Sequence, residues 1–325
     1  GTSILYISHK LEEIRSLCDS ATILRHGKVV GTCDPRATSA RDMAELMVGE
    51  TLHIPTRDAK ACGAELLAVK DLSYAPKSPF GTRLKALSLT VHAGEILGIG
   101  GVAGNGQDEL LSVLSGEACA QTGSVTFEGK DISELGPNAR RALGLLAAPE
   151  ERLGHAAAPN MSLIENTALT AIIRKDLTNN NFINWAKTES FAKDIIKTFD
   201  VRTPSATAAA RSLSGGNLQK FVIGREVMQN PKVLVVNQPT WGVDASAAAS
   251  IRQALLDLAA NGAAVICISQ DLDELMEISD HFAALNEGRL TTPRAAKGLS
   301  IDEIGLMMGG GDTASDTQIT EGVSA

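Results

Sequence analysis

The 325-residue sequence predicts an α/β fold with a parallel core sheet, an antiparallel β part ahead of it and an inserted helical subdomain. Three observations predict it. KVLVVNQ (232–238) and AAVICISQ (263–270) are short, apolar and β-branched, and a helical pattern follows each, as it does after buried parallel strands. LLAVKDLSY (66–74) and ALSLTVHAG (86–94) read as β-rich strands ahead of the first core helix. Residues 161–199 read as helical, interrupted at Asn179, Asn180 and Asn181.

Composition bounds the function. The net charge of -8 argues against a general electrostatic grip on nucleic acid. The five cysteines have no C-x-x-C spacing and read as reduced structural thiols of a cytosolic protein. No apolar run approaches the ~20 residues of a membrane span, and no secretory leader is expected. A membrane role is therefore expected through a partner.

An internal repeat organises the chain. ILYISHKLEEIRSLCDSATILRHGKVVG (4–31) resembles VICISQDLDELMEISDHFAALNEGRL (265–290) at a constant offset of 261 residues. Ser8 matches Ser269, His9 matches Gln270, Glu13 matches Glu274, Asp19 matches Asp280 and Gly27 matches Gly288. MAELMVGE (43–50) and EIGLMMGG (303–310) continue the match. A period this long marks a duplicated domain rather than a solenoid. Residues 1–52 read as the C-terminal remnant of a first copy. They are expected to hold a strand over 4–8, a helix over 10–18, a hairpin around His26-Gly27 and a short amphipathic helix near Met43. Such a remnant is expected to be unstable without its missing neighbours. Residues 53–64 read as a linker, 65–310 as the second copy, and 311–325 as a disordered tail.

Within the second copy, EILGIGG (95–101) is an apolar run that enters the glycine loop GGVAGNGQDELL (100–111), and a helix follows. Strand, glycine loop and helix is the setting in which backbone N–H groups cradle a phosphate. LSGGNLQK (213–220) places Ser214 as an N-cap before two glycines, a second anion site at a helix start. VLVVNQPTWGVD (233–244) and ISQDLDEL (268–275) follow in order.

Taken together, these motifs closely resemble the ATP-binding cassette (ABC) ATPases, over about 65–310 and again in the first-copy tail. The resemblance implies a P-loop cassette that uses ATP and Mg²⁺. It assigns nucleotide contacts to Tyr74, Gly101, Gly104, Asn105, Gly106, Gln107, Asp108 and Glu109. Tyr74 would be the adenine-stacking aromatic; a plain strand-edge tyrosine is the other reading. The signature motif falls on Ser214, Gly215, Gly216 and Asn217, the D-loop on Asp244 and the Q-loop on Glu150. The catalytic positions fall on Asn237, Gln238 and Gln270.

Several positions depart from the family pattern. Gln107 stands where the family has a lysine and loses its charge. Asp108 stands where a serine or threonine hydroxyl binds Mg²⁺. Asn237 and Gln238 replace an Asp and a Glu, and Gln270 replaces the switch histidine that His9 keeps in the first copy. Losing charge stabilisation costs roughly 3 kcal/mol per group, so hydrolysis in this site is not expected; nucleotide binding is left open.

In the family, two cassettes face head to tail, so the intact signature would serve a site on the first cassette, as would His9. Tandem cassettes with SHKLEE, GVAGNGQ and NQPTWGVD resemble importer ATPases of the simple-sugar and nucleoside type. That implies the cytoplasmic face of the inner membrane, permease subunits bound through the helical subdomain (about 160–200) and, indirectly, an extracytoplasmic solute-binding protein. Two alternatives stay open: a soluble tandem-cassette protein acting on ribosomes or nucleic acid, and a non-hydrolysing regulatory pseudo-ATPase.

Overall fold

A computed structural model describes residues 1–8, 11–25, 27–39, 42–43, 46–47 and 62–310. His9, His26, most of the 53–64 linker and the 311–325 tail lie outside the described residues.

Near the start, α1 (Leu11–Leu17) and the antiparallel hairpin β1 (Ala21–Arg25) and β2 (Lys28–Cys33) form where expected. Gly27 closes the hairpin at φ 74°, a left-handed conformation that costs glycine little. Residues 42–43 and 46–47 are helical, and Met43 is buried. The strand expected over 4–8 does not form. Ile4, Leu5 and Ile7 are 86%, 89% and 89% exposed. A core strand takes its hydrogen bonds and its burial from neighbouring strands, and among the described residues no strand pairs with 4–8.

In the second copy, β3 (Glu65–Tyr74) and β4 (Leu84–His92) pair antiparallel. β5 (Ile96–Gly100) then enters the core, and the glycine loop delivers the chain to α2 (Gln107–Ser115). β6 (Val125–Phe127) and β7 (Lys130–Asp131) complete a four-stranded antiparallel sheet in the order β4-β3-β6-β7. Helix α3 (Pro137–Leu143) starts on a proline, whose missing N–H costs nothing there. It leads into β8 (Leu145–Ala148) at the edge of the core sheet.

The helical subdomain holds α4 (Leu163–Ala171), entered through a Ser162–Glu165 capping box, and α5 (Trp185–Thr198). The asparagine run between them makes a tight hairpin of β9 (Thr178–Asn179) and β10 (Phe182–Ile183). Asn180 and Asn181 turn it at φ 49° and 64°, a conformation asparagine tolerates.

The chain then alternates: α6 (Gly215–Val227), β11 (Val233–Asn237), α7 (Ala245–Ala260), β12 (Ala264–Ser269), α8 (Leu272–Ile278), β13 (His281–Asn286), β14 (Arg289–Leu290), β15 (Arg294–Ala295) and α9 (Ile301–Met308). The core sheet runs β14-β13-β5-β12-β11-β8, with β15 beside β13. Five of its members, from β13 to β8, are parallel, and β14 and β15 are antiparallel additions. Both faces are covered. Val233 and Val235 of β11, with Ile266 and Ile268 of β12, join the core shared with β3, β4 and α2. Leu234, Val236, Val265 and Cys267 join the core shared with α6, α7 and α8. This period-two split is why the runs read as unbroken apolar stretches.

Two buried charge systems brace the frame. Arg140 is 0% exposed and donates to the carbonyls of Val113, Leu114, Ile132, Ser133 and Leu135. It thereby fastens the C-terminal end of α2, where a cation also suits the helix dipole. Burial lowers its guanidinium to about 10. Glu226 lies between Arg225 and Arg141 at 2.8 and 2.6 Å. Burial pushes this carboxyl up, but the two guanidinium groups outweigh burial and hold it below the usual range. Arg225 also donates to the Ala156 and Asn166 carbonyls, joining α6 to the segment after β8 and to α4.

The carboxyl ends of β5, β8, β11 and β12 open on one edge of the sheet. Ligand sites of α/β sheets form at such an edge.

Candidate functional site: a cleft at the carboxyl edge of the core sheet

A cleft of about 820 Å³ lies at this edge, lined by Gly104, Gln107 and Asp108 of the glycine loop and α2, Glu150 and Arg152 after β8, and Asn237, Gln238, Gly215, Trp241 and Gln270. Segments more than 160 residues apart thus meet in one place.

The glycine loop is held from outside. Gly288 N–H donates to the Asn105 carbonyl at 2.9 Å, and Glu287 N–H donates to Asn105 Oδ1 at 3.0 Å. Thr82 donates its hydroxyl to the Gly104 carbonyl and its N–H to Glu109 Oε1, at 2.6 and 2.9 Å. Gly106 caps α2 at φ 112°, and a Cβ there would sit 2.9 Å from Leu84. A Cβ on Gly101 would meet the Leu285 carbonyl at 2.5 Å. Glycine is required at both positions by geometry.

Gln107 turns back into this loop. Its Nε2 donates to the Val102 carbonyl at 2.8 Å, and its Oε1 accepts from Asn105 N–H at 3.0 Å. It is only 8% exposed.

Beside it, Asn237 Nδ2 donates to Asp108 Oδ1 at 2.9 Å. Asn237 is 1% exposed, and its Oδ1 has no partner. Gln238 sits at φ 53° and is buried, and Gln270 N–H approaches its Oε1 at 3.4 Å. Burial and the nearby Asp108 push the Glu150 carboxyl up. Arg152 donates to the Trp241 carbonyl and packs against Gly215 and Gly242, so it ties the segment after β8 to the start of α6 and to the loop ahead of α7. His155 pairs with Glu117 at 2.9 Å, and that hydrogen bond raises its imidazole.

Other expected residues are arranged differently. Ser214 occupies the N-cap position of α6, but its hydroxyl does not cap; it accepts from Asn217 Nδ2 at 2.9 Å. Asn217 Oδ1 is taken by Arg202 N–H at 2.7 Å, which pulls the asparagine toward the preceding loop. Asp244 caps α7 by accepting from Ala247 N–H at 2.9 Å. Tyr74 pairs with Leu84, packs on the β3–β4 core and does not line the cleft. Gly216, too, lies outside the cleft lining.

The cleft fits Mg²⁺ poorly. Asn237 presents an N–H, not an oxygen, toward Asp108, whereas Mg²⁺ requires oxygen ligands. Among the described residues, no group of three or more His, Cys, Asp or Glu side chains is arranged to hold a metal. Among the described residues, no lysine lines the cleft.

Arg140, Arg152, His155 and the Asp108–Asn237 pair were not predicted from the sequence. Their partners lie 5 to 129 residues away, and no motif spacing marks them.

Comparison with known proteins bears on the family and the fold. A family described as "ABC transporter" matches residues 84–241. The chain is 36% identical over 325 residues to "Glucose import ATP-binding protein TsgD13" of Haloferax volcanii, covering 98% of this chain and 58% of that protein. It is 36% identical to "Nucleoside import ATP-binding protein NupA" of Lactococcus lactis subsp. cremoris, covering 96% and 62%. It is 37% identical to "Guanosine import ATP-binding protein NupO" of Bacillus subtilis, covering 95% and 61%. The chain thus spans about 60% of the length of these relatives.

Among solved structures, an ATP-binding subunit of an ABC transporter matches with a TM-score of 0.61 at 21% identity, covering 75% of this chain and 99% of that one. The cassette MJ0796, dimeric and bound to ADP and phosphate, matches with a TM-score of 0.59 at 20% identity, covering 72% and 100%. At these identities the structures support the fold alone. Fold, motif order and relatives together identify the chain as carrying an ATP-binding domain of the ABC transporter family.

Proposed function

We propose that this chain is part of the ATP-binding subunit of an importer of nucleosides or simple sugars, peripheral on the cytoplasmic face of the inner membrane. In this reading it contributes a signature motif to an ATP site on a partner cassette, and its own cleft is degenerate. The observation that carries the reading is an asymmetry. No side chain caps the start of α6 at Ser214, whereas Gln107 is bonded back to the glycine loop and Asn237 of β11 to Asp108.

The mechanism follows from the open helix start. First-turn N–H groups have no intrahelical acceptor, and the helix end carries partial positive charge. α6 therefore offers oriented donors to the polyphosphate of ATP held by the partner cassette. Arg152 holds this end against the D-loop segment, and Arg225 anchors its far end. ATP supplies the hydrolytic free energy when bound at the partner's site. ATP-driven closure would bias the permease between its states.

Residues 1–52 fit the remnant of that partner cassette, with 53–64 as linker and 65–310 as the second cassette. His9 would serve the same partner site. The permease would dock on the helical subdomain, where Leu169, Ile173, Phe182 and Trp185 are exposed. No helix among the described residues is long and apolar enough to cross a membrane, so coupling would run through such docking. The extracytoplasmic solute-binding protein would act through the permease.

The regulatory pseudo-ATPase reading has its own support in the inward-turned Gln107, and describes what the isolated chain would do. The ribosomal reading finds none: the charge is -8. Assembly with permeases and the partner cassette tests the proposal. Ser214→Arg is expected to lower ATP turnover of the assembly about a hundredfold or more. Unchanged turnover, or co-purification with ribosomes instead of permeases, contradicts it.

A further inference from the structure

We propose that the phosphate position of the degenerate cleft is filled by the cleft's own side chains, so that the cleft takes no Mg²⁺-nucleotide. The proposal rests on reading the cleft as a cassette's nucleotide half-site. Three requirements of a phosphate-binding loop are already met internally. The loop needs an acceptor for its inward N–H groups, and Gln107 Oε1 takes the one from Asn105. Gln107 Nε2 binds the Val102 carbonyl on the same loop, so the amide spans the cradle as a neutral plug. Fitting a phosphate there requires unmaking both bonds, and among the described residues no lysine lines the cleft to replace them.

The positive start of α2 needs an anion. Asp108 and Glu109 stand in its first turn, and Glu109 is fixed by Thr82 N–H. The helix end is therefore already neutralised, and a phosphate placed there meets carboxylates. Glu150 adds a third acidic group, whose raised carboxyl reflects burial and Asp108.

The third requirement is a link between the loop and β11, where a bound cation would supply positive charge. Here Asn237 Nδ2 makes it directly to Asp108 Oδ1 at 2.9 Å. Asp108 dictates the orientation of the amide. A flipped Asn237 would set its oxygen against a carboxylate, so the N–H faces Asp108 and the Oδ1 is left buried without a partner. With an N–H in that direction, the pair cannot both face a cation.

The arrangement accounts for Asp108, which otherwise looks ruinous beside a phosphate. It is the internal anion that α2 and Asn237 share.

Equilibrium titration of the whole chain with a fluorescent ATP analogue, with and without Mg²⁺, tests this. No saturable Mg²⁺-dependent binding is expected through the millimolar range. The triple variant Gln107→Lys, Asp108→Ser, Asn237→Asp is expected to gain it, with a midpoint at least tenfold below the highest concentration at which the unaltered chain shows none. Circular dichroism and the thermal midpoint report whether the variant folds. If it does not, Gln107→Lys with Asp108→Ser serves the same purpose, with the same gain expected.

Saturable Mg²⁺-dependent binding by the unaltered chain overturns the proposal. So does a folded variant that still fails to bind, because these side chains would then not be what keeps nucleotide out. Neither result touches the importer reading, which stands or falls on assembly with permeases and on Ser214.

Discussion

Two stretches with the same sequence pattern meet opposite fates in this molecule. VICIS (265–269) is β12, fully buried between β5 and β11. ILYIS (4–8), 261 residues earlier, forms no strand, and Ile7 is 89% exposed where Ile268 is 0%. Around them, the local elements agree closely. Helix α1 (Leu11–Leu17) matches α8 (Leu272–Ile278) residue for residue. Gly27 and Gly288 turn their hairpins at φ 74° and 73°. Ser39 Oγ accepts from Asp42 N–H just as Ser300 Oγ accepts from Glu303 N–H. Elements built from contacts within about a dozen residues form in both copies, and the strand that needs distant neighbours forms in one. Strand character is a property of the surroundings more than of the residues.

The largest effect should come from probing that difference directly. Ile268→Ala should cost about 2–5 kcal/mol in denaturant unfolding, while Ile7→Ala should stay within about 0.5 kcal/mol. Equal costs would mean that 4–8 is packed after all. Limited proteolysis should likewise cut within 1–47 well before 65–310; a first segment as resistant as the second breaks the comparison.

A smaller effect is expected at the caps the two copies share. Ser300→Ala should cost about 0.5–2 kcal/mol, read as a lowered thermal midpoint. The cap is also pH-dependent. Hydrogen bonds from the Ser300 N–H and hydroxyl, with Arg294, bring the Glu303 carboxyl to about 2. Its unfolded value is about 4.3. Its contribution is thus complete above that range and is lost as pH falls through about 2. An acid titration of α9 helicity that is flat across this window contradicts the assignment.

The smallest effect sits at the cleft. Glu117→Gln should lower the pH at which His155 titrates, followed by proton NMR. The hydrogen bond to Glu117 raises this imidazole. Its stabilising share is therefore full below about 6.5 and disappears as pH rises through the elevated value.

Much of the fold was legible in the sequence because its signals are local. The apolar runs of β11 and β12, the glycines at 101 and 106, the helix start at 214 and the asparagine turn at 180–181 each declare themselves within a few residues. The same locality misled at 4–8, where the run is right and the neighbours are absent from the described residues. The candidate site was legible as a set of positions but not as an arrangement. That Gln107 folds back on Val102 is a rotamer choice, and that Asn237 reaches Asp108 depends on two elements 129 residues apart. Arg140 looks like any surface cation of a short helix until the carbonyls of five residues are found around it.

The division of labour between an open signature helix and a closed glycine loop is the central claim. Steady-state ATP turnover tests it most directly, measured for the purified chain alone and again with a partner cassette that carries a complete G-x-x-x-x-G-K-[ST] loop. The account predicts no turnover above background alone, and turnover with the partner that Ser214→Arg removes. Turnover by the chain alone, abolished by Gln107→Ala, would contradict it.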